Sequence, residues 1–223
     1  MTSQQITALV TGANRGLGRR FAEQLVERGA KVYGAARRPE TIDVPGVIPV
    51  QLDITDPESV ARAAEVASDV NLLINNAGVS TGASLLTGPM DDVRLEMETH
   101  YFGTLAVTRA FAPIIEANGG GSILNVLSVL SWFHAPAIGA YSAAKAAGWA
   151  MTDAIRQELA PRGIHVASLH VGYMDTDMAD FVPADQKTDP SVVAKQALDG
   201  LFAGEPEILA DDLTRTVKAQ LSS

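Results

Sequence analysis

"ITALVTGANRGLGRRFAEQLVERGA", residues 6–30, decides the fold. Its first seven residues are an apolar run ending in glycine, which reads as a short buried strand. Gly12, Gly16 and Gly18 follow, and then Leu17, Phe21, Leu25 and Val26 recur at helical spacing, with Gly29 as the stop. Glycine serves where a chain turns sharply or must approach a ligand without a Cβ. The helix that follows presents unpaired N–H groups and the positive end of its dipole, a place suited to a pyrophosphate. The spacing is G-x3-G-x-G, not the G-x-G-x-x-G of the common dinucleotide fingerprint. On its own such a run can be a simple turn; its place between strand and helix favours phosphate binding.

The same alternation continues outward. "KVYGAAR" (31–37) and "GVIPVQLDI" (46–54) read as strands, the latter weakened by Pro49. "DPESVARAAEVASD" (56–69) opens a helix with Asp56 as N-cap and Pro57 at the first helical position. "NLLINNAG" (71–78) is a fourth strand, a long helix is expected over about 90–117, and "SILNVLSV" (122–129) is a fifth strand. A helix follows from residue 139 to near Pro161, then a sixth strand, "IHVASLHVG" (164–172). A helix beginning at "DPSVVAKQAL", a short strand "EILA" and a last helix complete the order. Apolar strands alternating with helices predict an α/β fold: a doubly wound parallel sheet, the Rossmann fold, covered on both faces. We read residues 1–223 as a single domain with a short substrate lid around 173–190.

Composition narrows the function. The formal net charge is −9 and no basic stripe is visible, which argues against nucleic acid as a partner. Cysteine is absent, which removes disulfides, thiolate chemistry and cysteine-based metal sites. The other histidines, His134, His165 and His170, lack metal-ligand spacing, so no metal is expected. No basic-then-apolar leader and no membrane-length apolar run is seen, so a cytoplasmic protein without a membrane partner is expected.

The second strand ends "GAARRP" with Arg37 and Arg38, where NAD-binding chains carry a carboxylate for the ribose 2′-hydroxyl. A guanidinium can take a 2′-phosphate with forked hydrogen bonds, and Arg15 in the glycine turn can approach the same group. Solvated surface arginines are the plain alternative. The missing acid favours NADP(H) over NAD(H).

"GAYSAAKAAGWA" (139–150) sets Tyr141 and Lys145 one helical turn apart, on one face. A phenol titrates near 10, and a neighbouring ammonium would bring it closer to neutrality. Ser128, at the end of the fifth strand and thirteen positions earlier, lies where open α/β sheets bind ligands. A core tyrosine with an incidental lysine is the alternative for an isolated Y-x3-K.

Taken together, these segments resemble the short-chain dehydrogenase/reductase family along nearly the whole chain. "TGANRGLG" is similar to its cofactor turn, "LDITD" to its adenine contact, "NNAG" to its fourth-strand motif, and "NVLS" with "YSAAK" to its catalytic serine and Y-x3-K. The resemblance implies cofactor contacts at Gly12, Asn14, Arg15, Gly16, Leu17, Gly18, Arg37, Asp53, Ile54, Asn76, Ala77, Gly78, Tyr141 and Lys145. "HVGYMDTDM" adds Gly172 and Thr176 near the nicotinamide. It implies Tyr141 as general acid/base, Ser128 as the group that orients a carbonyl, and Lys145 as the group that lowers the tyrosine pKa and holds a ribose. The expected activity is NADPH-dependent reduction of an aldehyde or ketone to an alcohol, reversibly. An NADP(H)-sensing binding protein and a lyase or epimerase on the same fold are the alternatives.

Two positions depart from the pattern, and one of them, Val171 where the family usually has proline, removes no reacting group. The family's relay asparagine is replaced by His100, three residues before Gly103 in "THYFGTL". Either the imidazole relays protons itself, or it is a packed histidine. Replacing His100 by Asn is expected to keep activity and alter its pH profile. Met174, Met178, Phe181, Val182, Trp132 and Phe133 point to an apolar pocket. "TLAVTRAFAPII" and "AAKAAGWAMTDA" are apolar on more than one face, which suggests Phe111 and Trp149 in a homodimer interface, with a tetramer as the larger possibility.

Overall fold

The computed structural model describes residues 5–221. Strands β1 (Thr7–Thr11), β2 (Lys31–Ala36), β3 (Val47–Gln51), β4 (Leu72–Asn75), β5 (Gly121–Val126), β6 (Ile164–His170) and β7 (Glu207–Leu209) form one sheet. Every pairing is parallel, in the order β3-β2-β1-β4-β5-β6-β7. The helices are α1 (Gly16–Glu27), α2 (Pro57–Val66), α3 (Met90–Met97), α4 (Thr104–Ala117), α5 (Gly139–Leu159), α6 (Pro190–Phe202) and α7 (Asp212–Gln220).

Alternate strand residues feed two apolar layers, because successive side chains leave a strand on opposite faces. Ala8, Val10, Leu72 and Ile74 pack with Phe21 and Leu25 of α1 and Leu198 of α6. Leu9, Leu73, Ile123 and Val166 pack with Val107 and Phe111 of α4 and Ile155 of α5. Phe111 is therefore wholly inside, which corrects its assignment to an interface. An apolar helix face that met a partner would remain exposed in one chain, and this one is spent on the sheet. Trp149 packs edge-on against Trp132, 5.9 Å between ring centroids.

Local chemistry places the ends as anticipated. The Asp56 side chain accepts from the Glu58 amide and Pro57 starts α2. Gly29 takes a left-handed φ of 81° just past α1. Pro49 is tolerated because β3 is an edge strand.

The expected long helix is interrupted. Between α3 and α4, residues Glu98–Gly103 form a π-helical turn with Thr99, His100 and Gly103 buried. Gly103 lets this turn lie against the loop after β3, since a Cβ there would come within 2.9 Å of Ile54. Among the described residues, no helix is long and apolar enough to cross a membrane.

Candidate active site

The strand order reverses between β1 and β4, and a crevice opens at such a switch point beyond the carboxyl ends of the strands. The glycine turn after β1 and the segment 76–78 after β4 form its two lips. Gly12 and Gly16 have φ of 68° and 53°, and a Cβ on Gly18 would run into the Gly12 carbonyl oxygen. Asn76 clamps this turn by donating to the Thr11 carbonyl at 2.9 Å, while Thr11 Oγ1 accepts from the Asn76 and Ala77 amides. The N-terminus of α1 has no side-chain cap and no acidic residue in its first turn. Its free amides and Cβ-free cradle fit a pyrophosphate.

The remaining residues expected at the cofactor are distributed as follows. Leu17 is buried and Asn14 half-buried within the turn. Arg15 is exposed and pairs with Asp177 at 2.8 Å, and Thr176 lies against Gly16, so the segment after β6 rests on the glycine turn. Arg37 is exposed at the end of β2. Asp53 uses one carboxylate oxygen on Thr55, and Ile54 is buried. The Gly172 amide donates to Asp211 at 2.6 Å, so that group is already engaged with α7.

The other end of the crevice is assembled around α5. Asn75, Asn125 and Thr152 form a buried hydrogen-bonded chain that pins α5 to β4 and β5. Ser128 lies two residues beyond β5 and caps the short turn that follows, accepting from the Leu130 amide at 3.2 Å. Lys145 is buried and donates to the Val126 carbonyl at 2.9 Å, with Nζ 5.4 Å from the Tyr141 ring centroid. His100 stands edge-on to the same ring at 5.1 Å. Gly78 makes room for that imidazole, because a Cβ there would lie 2.7 Å from His100 Cε1. Ser128, Tyr141, Lys145 and His100 thus share one corner.

Its electrostatics differ from expectation. Burial pushes the Tyr141 phenol up, Glu96 adds to the rise, and only the Ser128 hydrogen bond opposes it. The expected fall toward neutrality is not what these groups produce, because desolvation of the phenolate outweighs its partners. Burial also pushes the Lys145 ammonium down to about 8, against an upward pull from Glu96. The His100 imidazole is pushed down by burial and then by Lys145, so it is a neutral ring.

Glu96 was not singled out by the sequence reading. It is fully buried in α3, and its only signal is the four-residue spacing to His100, which an ordinary surface pair would share. Trp132 corrects the proposed pocket lining: it is buried, stacked on His170 at 3.9 Å and covered by Lys218. Val182 is also buried and Met174 packs against the core, whereas Phe133, Met178 and Phe181 are exposed.

Comparison with known proteins bears on this arrangement. The family model described as short chain dehydrogenase matches residues 6–187. A Drosophila melanogaster protein, dehydrogenase/reductase SDR family protein 7-like, is 32% identical over 235 residues, covering 92% of this chain and 72% of its own. The FabG 3-oxoacyl-[acyl-carrier-protein] reductase of Vibrio cholerae is 31% identical, with 81% of this chain and 78% of its own covered. Among solved structures, a short chain dehydrogenase from Burkholderia cenocepacia in complex with NADP superposes with a TM-score of 0.94. It is 40% identical, over 100% of this chain and 95% of that one.

Proposed function

The chain belongs to the short chain dehydrogenase family and is an oxidoreductase of it, and from that premise we propose that it reduces an apolar aldehyde or ketone with NADPH. The observation that carries the reading is the convergence of Ser128, Tyr141 and Lys145 on one corner beside the switch-point crevice. The glycine cradle and the uncapped α1 N-terminus would hold the pyrophosphate, with Arg37 and Arg15 at the 2′-phosphate. NADP bound to the Burkholderia cenocepacia relative supports this choice. When bound, the cofactor supplies the hydride.

The protein's own groups orient the substrate and manage the proton. Ser128 Oγ donates to the substrate carbonyl oxygen, and the Tyr141 hydroxyl delivers the proton that makes it an alcohol. A phenol held above its ordinary pKa is protonated at neutral pH, which suits donation in the reductive direction. Lys145 orients a ribose hydroxyl and keeps positive charge beside the phenol ring. Substrate would enter past Leu85, which borders Gly139, and past Tyr173 and Phe181, whose exposed rings meet edge-on at 6.0 Å. Apolar groups at that mouth favour an apolar substrate body.

A screen of NADPH oxidation with aldehydes, ketones and quinones tests the reading. Turnover by the wild type and its loss in Tyr141→Phe are expected. Tight NADPH binding without turnover of any carbonyl would overturn it in favour of a nucleotide sensor.

A further inference from the structure

Desolvating a carboxylate costs several kcal/mol unless partners replace the water, so a carboxylate with no exposed side-chain surface needs an account of what surrounds it. Glu96 is such a group, one turn before His100. Its Oε1 accepts from the Thr81 amide at 2.7 Å and the Thr81 hydroxyl at 2.9 Å. Its Oε2 has no well-aligned donor and lies 3.3 Å from His100 Nε2. The same nitrogen is 2.7 Å from the Val79 carbonyl oxygen. Two oxygen acceptors therefore converge on one ring nitrogen, against a single long contact from the Val79 amide at 3.4 Å. A neutral imidazole in that setting carries its proton on Nε2 and its lone pair on Nδ1.

We propose that Glu96 is a positioning residue of the reaction corner: it holds His100 in the Nε2–H form and supplies the buried negative charge that balances Lys145 and faces Tyr141. This deepens the carbonyl-reductase reading and rests on it. Glu96 meets Thr81 from the loop after β4 and His100 from the π turn, and its charge bears on Tyr141 and Lys145 of α5. Tyr173, beyond β6, bears on Tyr141 as well. The carboxylate raises the proton affinity of all three titratable neighbours, His100, Lys145 and Tyr141. Lys145 is thereby kept an ammonium despite burial, and Tyr141 is kept a proton donor. The site is biased toward giving a proton to a carbonyl.

The test has two independent readouts. The pH dependence of kcat/KM for carbonyl reduction is measured for wild type, Glu96→Gln and Glu96→Asp. Removing the charge lowers every proton affinity that it raised, so Glu96→Gln moves the profile about 1 pH unit toward acid. Glu96→Asp keeps the charge and leaves the profile near that of wild type. Separately, 15N-labelled histidine, with the His100 signal assigned by its loss in His100→Asn, reports the tautomer in the wild type; Nε2–H is expected. An Nδ1–H tautomer, a Glu96→Gln profile that coincides with wild type, or a Glu96→Asp profile displaced as far as that of Gln overturns the proposal. If the wild type reduces no carbonyl, the reductase reading fails, while an Nδ1–H spectrum would still exclude the contact of Glu96 with His100 Nε2–H. That spectrum needs no Glu96 variant, so an Nδ1–H result would overturn the proposal even where Glu96→Gln failed to fold.

Discussion

The two ends of the crevice are built from different materials. At the glycine turn, the recognising groups are backbone amides at the start of α1, shaped by Gly12, Gly16 and Gly18 and clamped by Asn76. Around α5, the working groups are side chains that titrate: Lys145, His100 and Glu96, which are buried, and Tyr141, which is half-buried. A backbone site depends on close approach and hardly on pH. A corner of buried ionisable groups depends on charge balance, because each group sets the proton affinity of the next. Binding and chemistry should therefore be separable by mutation.

The largest effect tests that separation directly. Tyr141→Phe removes the proton donor and should lower kcat about 10²–10⁴-fold, while NADPH affinity, read by fluorescence titration, stays near wild type. A comparable loss of affinity would mean that the two ends are one unit. Gly18→Ala is the converse: its Cβ meets the Gly12 carbonyl oxygen, so the turn must open. NADPH affinity should fall at least tenfold and stability by about 1–3 kcal/mol, by analogy with overpacking, with the pH dependence of the residual activity unaltered. Thermal melts and titration would check both.

Third comes acid sensitivity on the chemical side. His170 is buried behind Ser128, and burial pushes its imidazole down to about 3. Between that value and 6.5 the unfolded chain binds the proton and the folded chain does not, so stability rises with pH there. Acidification from pH 7 to 5 should cost about 2 kcal/mol from this residue. His170→Phe should show less than half that loss in urea unfolding; an equal loss would assign it to other groups. Arg37→Ala, on the cofactor side, should raise the KM for NADPH about tenfold through lost charge-assisted hydrogen bonds and leave that for NADH unchanged. A parallel rise for both would deny Arg37 the 2′-phosphate. The smallest effect is expected of His100→Asn, because a neutral imidazole changes no charge when replaced. Activity should stay within about tenfold, with a profile displaced less than that of Glu96→Gln between pH 5 and 9. A larger displacement would locate the titration on the ring itself.

Legibility in the sequence followed locality. The glycine turn, the Asp56–Pro57 start and the apolar strands are written within a few adjacent residues, and all of them appear in the fold. The Tyr141–Lys145 pair was readable for the same reason, since four-residue spacing on a helix fixes a shared face. What stayed hidden depends on distant partners. Nothing near Asn125 shows that it reaches Thr152, or near Glu96 that Thr81 will fold over it. Phe111 read as surplus apolar surface because periodicity does not reveal which helix face the sheet will cover. Desolvation, a property of the packed interior, reversed the expected direction of the Tyr141 shift.

The π turn carries one consequence for how such a chain can change. Its wider turn takes up one extra residue while leaving α3 and α4 in nearly the phase of a continuous helix. Loss of one residue there, such as the exposed Phe102, would let the ladder close as ordinary α-helix and leave Glu96 in its enclosure. The same loss within α4 would turn everything before it by about 100° and swing Glu96 out with no change to its own codon. The length of the chain is therefore forgiving at this turn and strict one turn later.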